Sequence, residues 1–305
     1  MKIAIVGAGG VGGYIGAKLL KNSDHEIGFI ARGEHLKAIE KNALKVIDEN
    51  EEFTIRPSFI TQVPKNLGIF DLVIFCTKSY DLKEAAKNLQ NNIDENSYLL
   101  PILNGVDHDL TLKELYPNSN ILNACVYILS NIKEPGVIKK YGNTFYLIFG
   151  SRFLPKENLT FLKELFDKAD LKNKLTDKIV FETWRKFLFI SSFAVMTSYY
   201  QKPMGWIVEN KKEELIELLK EIVAVANKKE IPLDETNIQS VLKQAQNIPY
   251  ESKTSMQIDF EKGKKTELES LCGYIVKEAK ILRIKTPVME KFYKELKKKE
   301  IEARL

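Results

Sequence analysis

A short apolar run of strand character, Met1-Lys2-Ile3-Ala4-Ile5-Val6, leads without a spacer into Gly7-Ala8-Gly9-Gly10-Val11-Gly12, and a helical pattern continues through Ala17, Leu19 and Leu20. In an arbitrary loop a G-x-G-x-x-G match carries little; between a strand and a helix it carries a mechanism. Gly7 permits a tight turn, and Gly9 lets the main chain approach a pyrophosphate. Gly12 lets the helix lie close to the strand, with its N-terminus facing the phosphates. The order predicts a dinucleotide site made of Gly7, Ala8, Gly9, Gly10, Val11 and Gly12. The competing reading is a glycine-rich turn with no ligand.

The next strand-like run, His25 to Ile30, ends in Ala31-Arg32-Gly33. An NAD-binding fold usually carries Asp or Glu there, to hold the ribose 2′-hydroxyl. A guanidinium instead offers a planar fork of donors suited to a phosphate. Arg32 therefore predicts NADP(H). The alternative is a solvated Arg32, with Glu34 serving the ribose.

At 305 residues the chain is long enough for two domains with cores of their own. A net charge of +5 is mild and spread over lysines such as Lys262, Lys264, Lys265 and Lys297 to Lys299. No basic stripe interleaved with aromatics emerges, so no nucleic-acid partner is expected. Cys76, Cys125 and Cys272 lack C-x-x-C spacing and read as buried free thiols; His25, His35 and His108 lack metal-ligand spacing. The apolar stretch 187–196 is too short to span a bilayer, so no membrane partner is expected. The chain begins on a strand, which predicts no leader peptide and a cytoplasmic location.

Strand-like and helix-like segments alternate over the first half. Leu72 to Cys76 suits a central parallel strand, 79–89 a helix, 97–103 and 121–129 further strands. Residues 136–142 and 145–150 read as an antiparallel pair at the sheet edge, with Gly142-Asn143 as its turn. From about Asp177 strand signals vanish. Helices are predicted over 179–199, 213–229, from Asn237, over a long stretch from Thr254 towards Lys280, and after Thr286-Pro287. The fold class is α/β: an N-terminal Rossmann-type doubly wound sheet over 1–168 and a C-terminal all-α domain over 176–305, with the active site expected in the cleft between them. The helical half could pair with a second copy as a homodimer.

Reducing a keto group requires a hydride donor and an acid that stabilises and protonates the developing oxyanion. Lys186 is embedded among Trp184, Phe187, Leu188, Phe189 and Ile190, an apolar setting in which an ammonium needs a partner. Glu267 is assigned that partnership. Thr77-Lys78 and Asn104-Gly105 each follow a core strand, where ligands of this fold lie.

Taken in order, Gly7-x-Gly9-x-x-Gly12, Arg32, Thr77-Lys78, Leu103-Asn104-Gly105, Trp184-x-Lys186, Thr254-Ser255-Met256-x-x-Asp259, Gly263, Thr266-Glu267, Gly273 and Thr286-Pro287 resemble the ketopantoate reductase (2-dehydropantoate 2-reductase) family over nearly the full chain. The resemblance implies NADPH-dependent reduction of the 2-oxo acid 2-dehydropantoate to (R)-pantoate, a step of pantothenate synthesis. It also implies that Lys186 is the catalytic acid, while Glu267 assists it and contacts the cofactor ribose. Asn104 would position substrate or nicotinamide, Ser255 would bind the substrate carboxylate, and Lys78 and Arg32 would serve the cofactor.

The substrate side departs from the family pattern. Ile190 and Ala194 stand four and eight residues after the lysine, where the family usually has Asn; Met204 and Cys272 replace two more. Ser191, Ser192 or Gln201 could compensate. These losses keep a second function open, reduction of a more apolar 2-oxo acid or an imine. A third reading is a non-catalytic NADPH-binding sensor. His108 invites comparison with histidine-based dehydrogenases, but Asp107 and Asp109 are sequence neighbours that cannot face it on a helix. Tyr199-Tyr200 reads as packing at a helix end.

Overall fold

The computed structural model describes residues 1–302. Their contacts divide the chain into two compact units, Met1–Leu103 with Asp107–Ile179, and Asn104–Val106 with Val180 onward.

The first unit contains strands β1 (Lys2–Val6), β2 (Glu26–Ile30), β3 (Leu44–Ile47), β4 (Glu52–Ile55), β5 (Phe59–Thr61), β6 (Leu72–Phe75), β7 (Tyr98–Pro101), β8 (Asn120–Ile121), β9 (Asn123–Glu134), β10 (Val137–Gly150) and β11 (Asn173–Leu175). Its helices are α1 (Gly10–Lys21), α2 (Gly33–Asn42), α3 (Leu82–Lys87), α4 (His108–Leu115) and α5 (Thr160–Lys168). One sheet runs β5-β2-β1-β6-β7-β8, with every pairing parallel. Counted in chain order, its strands lie 3-2-1-4-5-6, the doubly wound order, which reverses between β1 and β6. Side chains alternate across the pleat. Ile3, Ile5, Leu72 and Ile74 are buried with Ile15 and Phe166, whereas Ala4, Val6, Val73 and Phe75 are buried with Leu82 and Leu112. Burial on both faces explains why these strands are continuous apolar runs.

A second sheet corrects the sequence reading. Residues 137–150 form one strand, β10, not two. Its antiparallel partner is β9, and the turn between them falls at Pro135-Gly136, where Gly136 has φ +84°. Gly142 and Asn143 lie in a bulge between Tyr141 and Phe145. Glycine with positive φ serves a bulge as well as a turn, and local chemistry does not separate the two. β10 also pairs in parallel with β3 and β11, and β3 pairs with β4.

The second unit is helical: α6 (Ile179–Tyr200), α7 (Met204–Asn210), α8 (Lys212–Lys228), α9 (Glu235–Gln246), α10 (Ser255–Glu261), α11 (Tyr274–Leu282) and α12 (Pro287–Glu302). They share one core that includes Trp184, Phe187, Leu218, Ile222, Leu271, Met289 and Phe292. The single long helix expected from Thr254 towards Lys280 is instead α10, an irregular stretch, a π-helical turn over Glu269–Gly273, and α11. Gly263, at φ +61°, ends the first piece, so Thr266 and Glu267 precede the next helix rather than lying inside one. No helix among the described residues is long and apolar enough to cross a membrane.

Candidate active site

The fingerprint glycines divide by what their missing side chains accommodate. A Cβ on Gly7, at φ +96°, would lie 2.8 Å from the Cys76 carbonyl oxygen, and one on Gly12 would lie 2.0 Å from the Gly7 oxygen. These two are required by the protein's own packing, as is Gly10, whose Cβ would meet the Ser130 oxygen of β9 at 2.4 Å. A Cβ on Gly9 would meet no protein atom within 4 Å. The bare main chain there serves no internal contact and fits close approach by a pyrophosphate at the start of α1. Thr77, whose main-chain N would lie 3.1 Å from a Cβ on Gly7, has its Oγ1 buried with no hydrogen-bond partner among the described residues. Val11 is half-buried against the sheet core.

Ala8 is held from behind. His35 Nε2 lies 2.8 Å from the Ala8 carbonyl, and the Gly136 N–H donates to His35 Nδ1 at 3.0 Å. A main-chain N–H can only donate, so Nδ1 carries the lone pair and Nε2 the proton. Burial, opposed by the Ala8 hydrogen bond, holds His35 below the usual imidazole range. Sequence reasoning gave His35 no role, because its partners lie 27 and 101 residues away and no local motif joins them.

Arg32, at the end of β2, precedes α2, and its Nη2 donates to Asp81 Oδ2 at 2.7 Å. Glu34 is exposed and paired with Lys37 at 2.8 Å. Lys78 is half-buried and precedes the 3₁₀ turn Ser79–Asp81 beyond β6.

In the second unit, α6 puts Trp184, Phe187, Leu188, Phe193, Val195 and Met196 into the helical core. Lys186 is half-buried on it, and Nζ donates to Asn104 Oδ1 at 3.1 Å. An ammonium has no acceptor, so the amide oxygen must be the atom turned towards it, leaving the Asn104 NH₂ as a donor. Asn104 reaches this place through the segment Asn104–Val106, where Gly105 adopts φ +138° and Val106 enters the helical core. Glu267 is buried. Its neighbour Thr266 is anchored by N–H and hydroxyl donation to Glu300 Oε1 at 3.1 and 2.7 Å. Ser255 is exposed in the first turn of α10; the adjacent N-cap Thr254 accepts from the Gln257 N–H and lies 2.8 Å from the Thr197 hydroxyl of α6.

Two patterns of known families match the chain, one in each half. The pattern described as "Ketopantoate reductase PanE/ApbA" covers residues 3–151, and "Ketopantoate reductase PanE/ApbA C terminal" covers 178–300. The chain belongs to the ketopantoate reductase family. It is an oxidoreductase of this family. It is 29% identical over 305 residues to the uncharacterized oxidoreductase YkpB of Bacillus subtilis, covering 99% of this chain and 100% of that one. It is also 29% identical to a 2-dehydropantoate 2-reductase of Pyrococcus horikoshii, covering 94% of each. The crystal structure of 2-dehydropantoate 2-reductase from Porphyromonas gingivalis is 32% identical, with a TM-score of 0.85 over 97% of this chain and 99% of that one.

Within this ketopantoate reductase fold, the positions that depart from the family pattern are apolar and enclosed. Ala194, Met204 and Cys272 are buried in the helical core, and Ile190 packs against it. Met204 begins α7, its N–H donating to the Ser252 oxygen at 2.9 Å. The nearby hydroxyls are committed to main chain: Ser191 Oγ donates to the Leu271 oxygen at 2.5 Å and Ser192 Oγ to the Leu188 oxygen at 2.9 Å. Gln201 is exposed just beyond α6. Asp107 is the residue before α4 and its carboxylate lies 3.8 Å from His108 Nδ1, so the argument from helical facing does not apply to it. Asp109 is engaged by Arg152 at 2.6 Å. Tyr199 packs on Phe292, and Tyr200 donates to Glu214.

Proposed function

We propose that this protein reduces a 2-oxo acid with NADPH, and that 2-dehydropantoate, converted to (R)-pantoate, is its substrate. The observation that carries this reading is the Lys186–Asn104 pair, an ammonium held by an amide oxygen among the apolar side chains of α6. The names of the Pyrococcus and Porphyromonas relatives support the substrate. Gly9, Thr77, Lys78 and Arg32 would hold the cofactor, with Arg32 on the 2′-phosphate. When bound, NADPH supplies a hydride to the keto carbon. Lys186 donates a hydrogen bond to the keto oxygen, stabilises the charge that grows there and delivers the proton. Asn104 keeps the ammonium aimed and offers its NH₂ to the substrate. Glu267 balances the lysine charge, and Ser255 takes the substrate carboxylate.

A second substrate reading, a more apolar 2-oxo acid, is favoured by Ile190, Ala194 and Met204 and by the main-chain commitment of Ser191 and Ser192. Loss of NADPH absorbance with a panel of 2-oxo acids, run with wild type and Lys186→Ala, separates the readings. Turnover of 2-dehydropantoate above all others supports the first, and preference for a branched aliphatic 2-oxo acid the second. NADPH binding without lysine-dependent turnover would sink both.

A further inference from the structure

We propose that Asp81 sets the choice between NADPH and NADH, making this protein less discriminating than Arg32 alone would make it. The inference rests on the cofactor site assigned above. β1, which carries the glycine turn, lies between β2 and β6 in the sheet. Arg32 follows β2 and Asp81 follows β6, so the two approach each other across the carboxyl end of β1 and meet at 2.7 Å. The arginine side chain is 72% exposed, reachable by a ligand, and the aspartate is 23% exposed.

A nucleotide whose adenosine ribose arrives at Arg32 therefore meets a cation and an anion together. A 2′-phosphate, with about −1.5 to −2 charges, gains the guanidinium fork but must displace or lie beside the Asp81 carboxylate, which repels it. A bare ribose presents a hydroxyl donor, and a carboxylate at this end of the fold is the group that accepts it. Arg32 thus favours the phosphorylated cofactor, and Asp81 opposes it while giving the unphosphorylated one a partner. The sequence offered only Glu34 as an acidic ribose partner; Asp81 was invisible there because the pairing spans 49 positions.

Fluorescence titration of NADPH and of NADH into the wild type, Asp81→Asn and Arg32→Gln tests this without any substrate. Asp81→Asn, nearly isosteric and near the surface, is expected to tighten NADPH, weaken NADH and raise the ratio of the NADH Kd to the NADPH Kd about tenfold or more. Arg32→Gln is expected to move the ratio the other way. An unchanged or lowered ratio in Asp81→Asn, with NADPH still bound by wild type, overturns the role of Asp81 alone. Wild type that binds neither nucleotide overturns the cofactor site and this inference with it. Circular dichroism of each variant confirms that the comparison is between folded proteins.

Discussion

Lys186 Nζ donates to Asn104 Oδ1 at 3.1 Å although 82 positions separate the two residues. The bond aims an ammonium with the one atom of the amide that can accept from it. Lys186→Ala is expected to lower kcat by roughly 10²–10⁴-fold, the usual worth of a positioned acid, while leaving the NADPH Kd within a few fold. Asn104→Ala should act in the same direction with a smaller loss. Stopped-flow single turnovers together with cofactor titration check this; an alanine at 186 with near-normal kcat removes the lysine from the chemistry.

Two glycines of one motif should respond differently to the same methyl group. Gly9→Ala is expected to leave thermal stability within about 0.5 kcal/mol, because no protein atom lies within 4 Å of the new carbon, yet to raise the NADPH Kd at least tenfold. Gly12→Ala places its Cβ 2.0 Å from the Gly7 oxygen and should destabilise the fold itself, by several kcal/mol. Differential scanning calorimetry paired with binding separates the two. Equal stability losses in both variants would mean that Gly9 serves packing.

His35 predicts a pH effect with a definite sign. Its folded pKa lies below the ordinary value because burial disfavours the charged ring. The unfolded chain, at about 6.5, therefore takes up the proton first. The stabilisation is complete above about pH 6.5 and is lost as pH falls towards and through the lowered folded value. Protonation of Nδ1 also removes the acceptor of the Gly136 N–H, while Nε2 keeps its bond to the Ala8 carbonyl. The melting temperature of His35→Gln should consequently fall less steeply between pH 7 and 5 than that of wild type. Parallel slopes would show that other groups dominate.

Restoring polarity tests the substrate. Ile190→Asn with Ala194→Asn is expected to raise kcat/KM for 2-dehydropantoate relative to an aliphatic 2-oxo acid, by about tenfold if each amide adds one hydrogen bond. It should also cost stability, since Ala194 is buried and an unmatched amide there is penalised by about 1–3 kcal/mol. A thermally stable double variant with unchanged selectivity would argue that these positions do not define specificity.

Local order explains what was readable. Strand β1, the glycine turn and α1 are contiguous, so their register follows from spacing and sterics alone. The apolar run of β6 was legible for the same reason, because burial on both faces leaves an uninterrupted hydrophobic signal. The β9–β10 pairing was not. It depends on which of two glycine-bearing sites, Gly136 or Gly142, the chain turns at, and both have positive φ. The break after α10 was missed at Gly263, because a glycine is tolerated inside a helix as well as just past its end, and only the folded chain shows it at φ +61°.

The amino-acid order by itself determined an α/β half led by a glycine-rich turn between strand and helix, a helical half, and a lysine set among apolar helix residues. Each of these is written in nearest-neighbour chemistry, through glycine conformation, strand and helix periodicity, and the cost of burying a charge. Only the tertiary structure decided that Asn104 meets Lys186, that Asp81 meets Arg32, and that His35 props Ala8 against Gly136. Such bonds join residues tens of positions apart, and their energies depend on distances that folding creates and that no local pattern encodes.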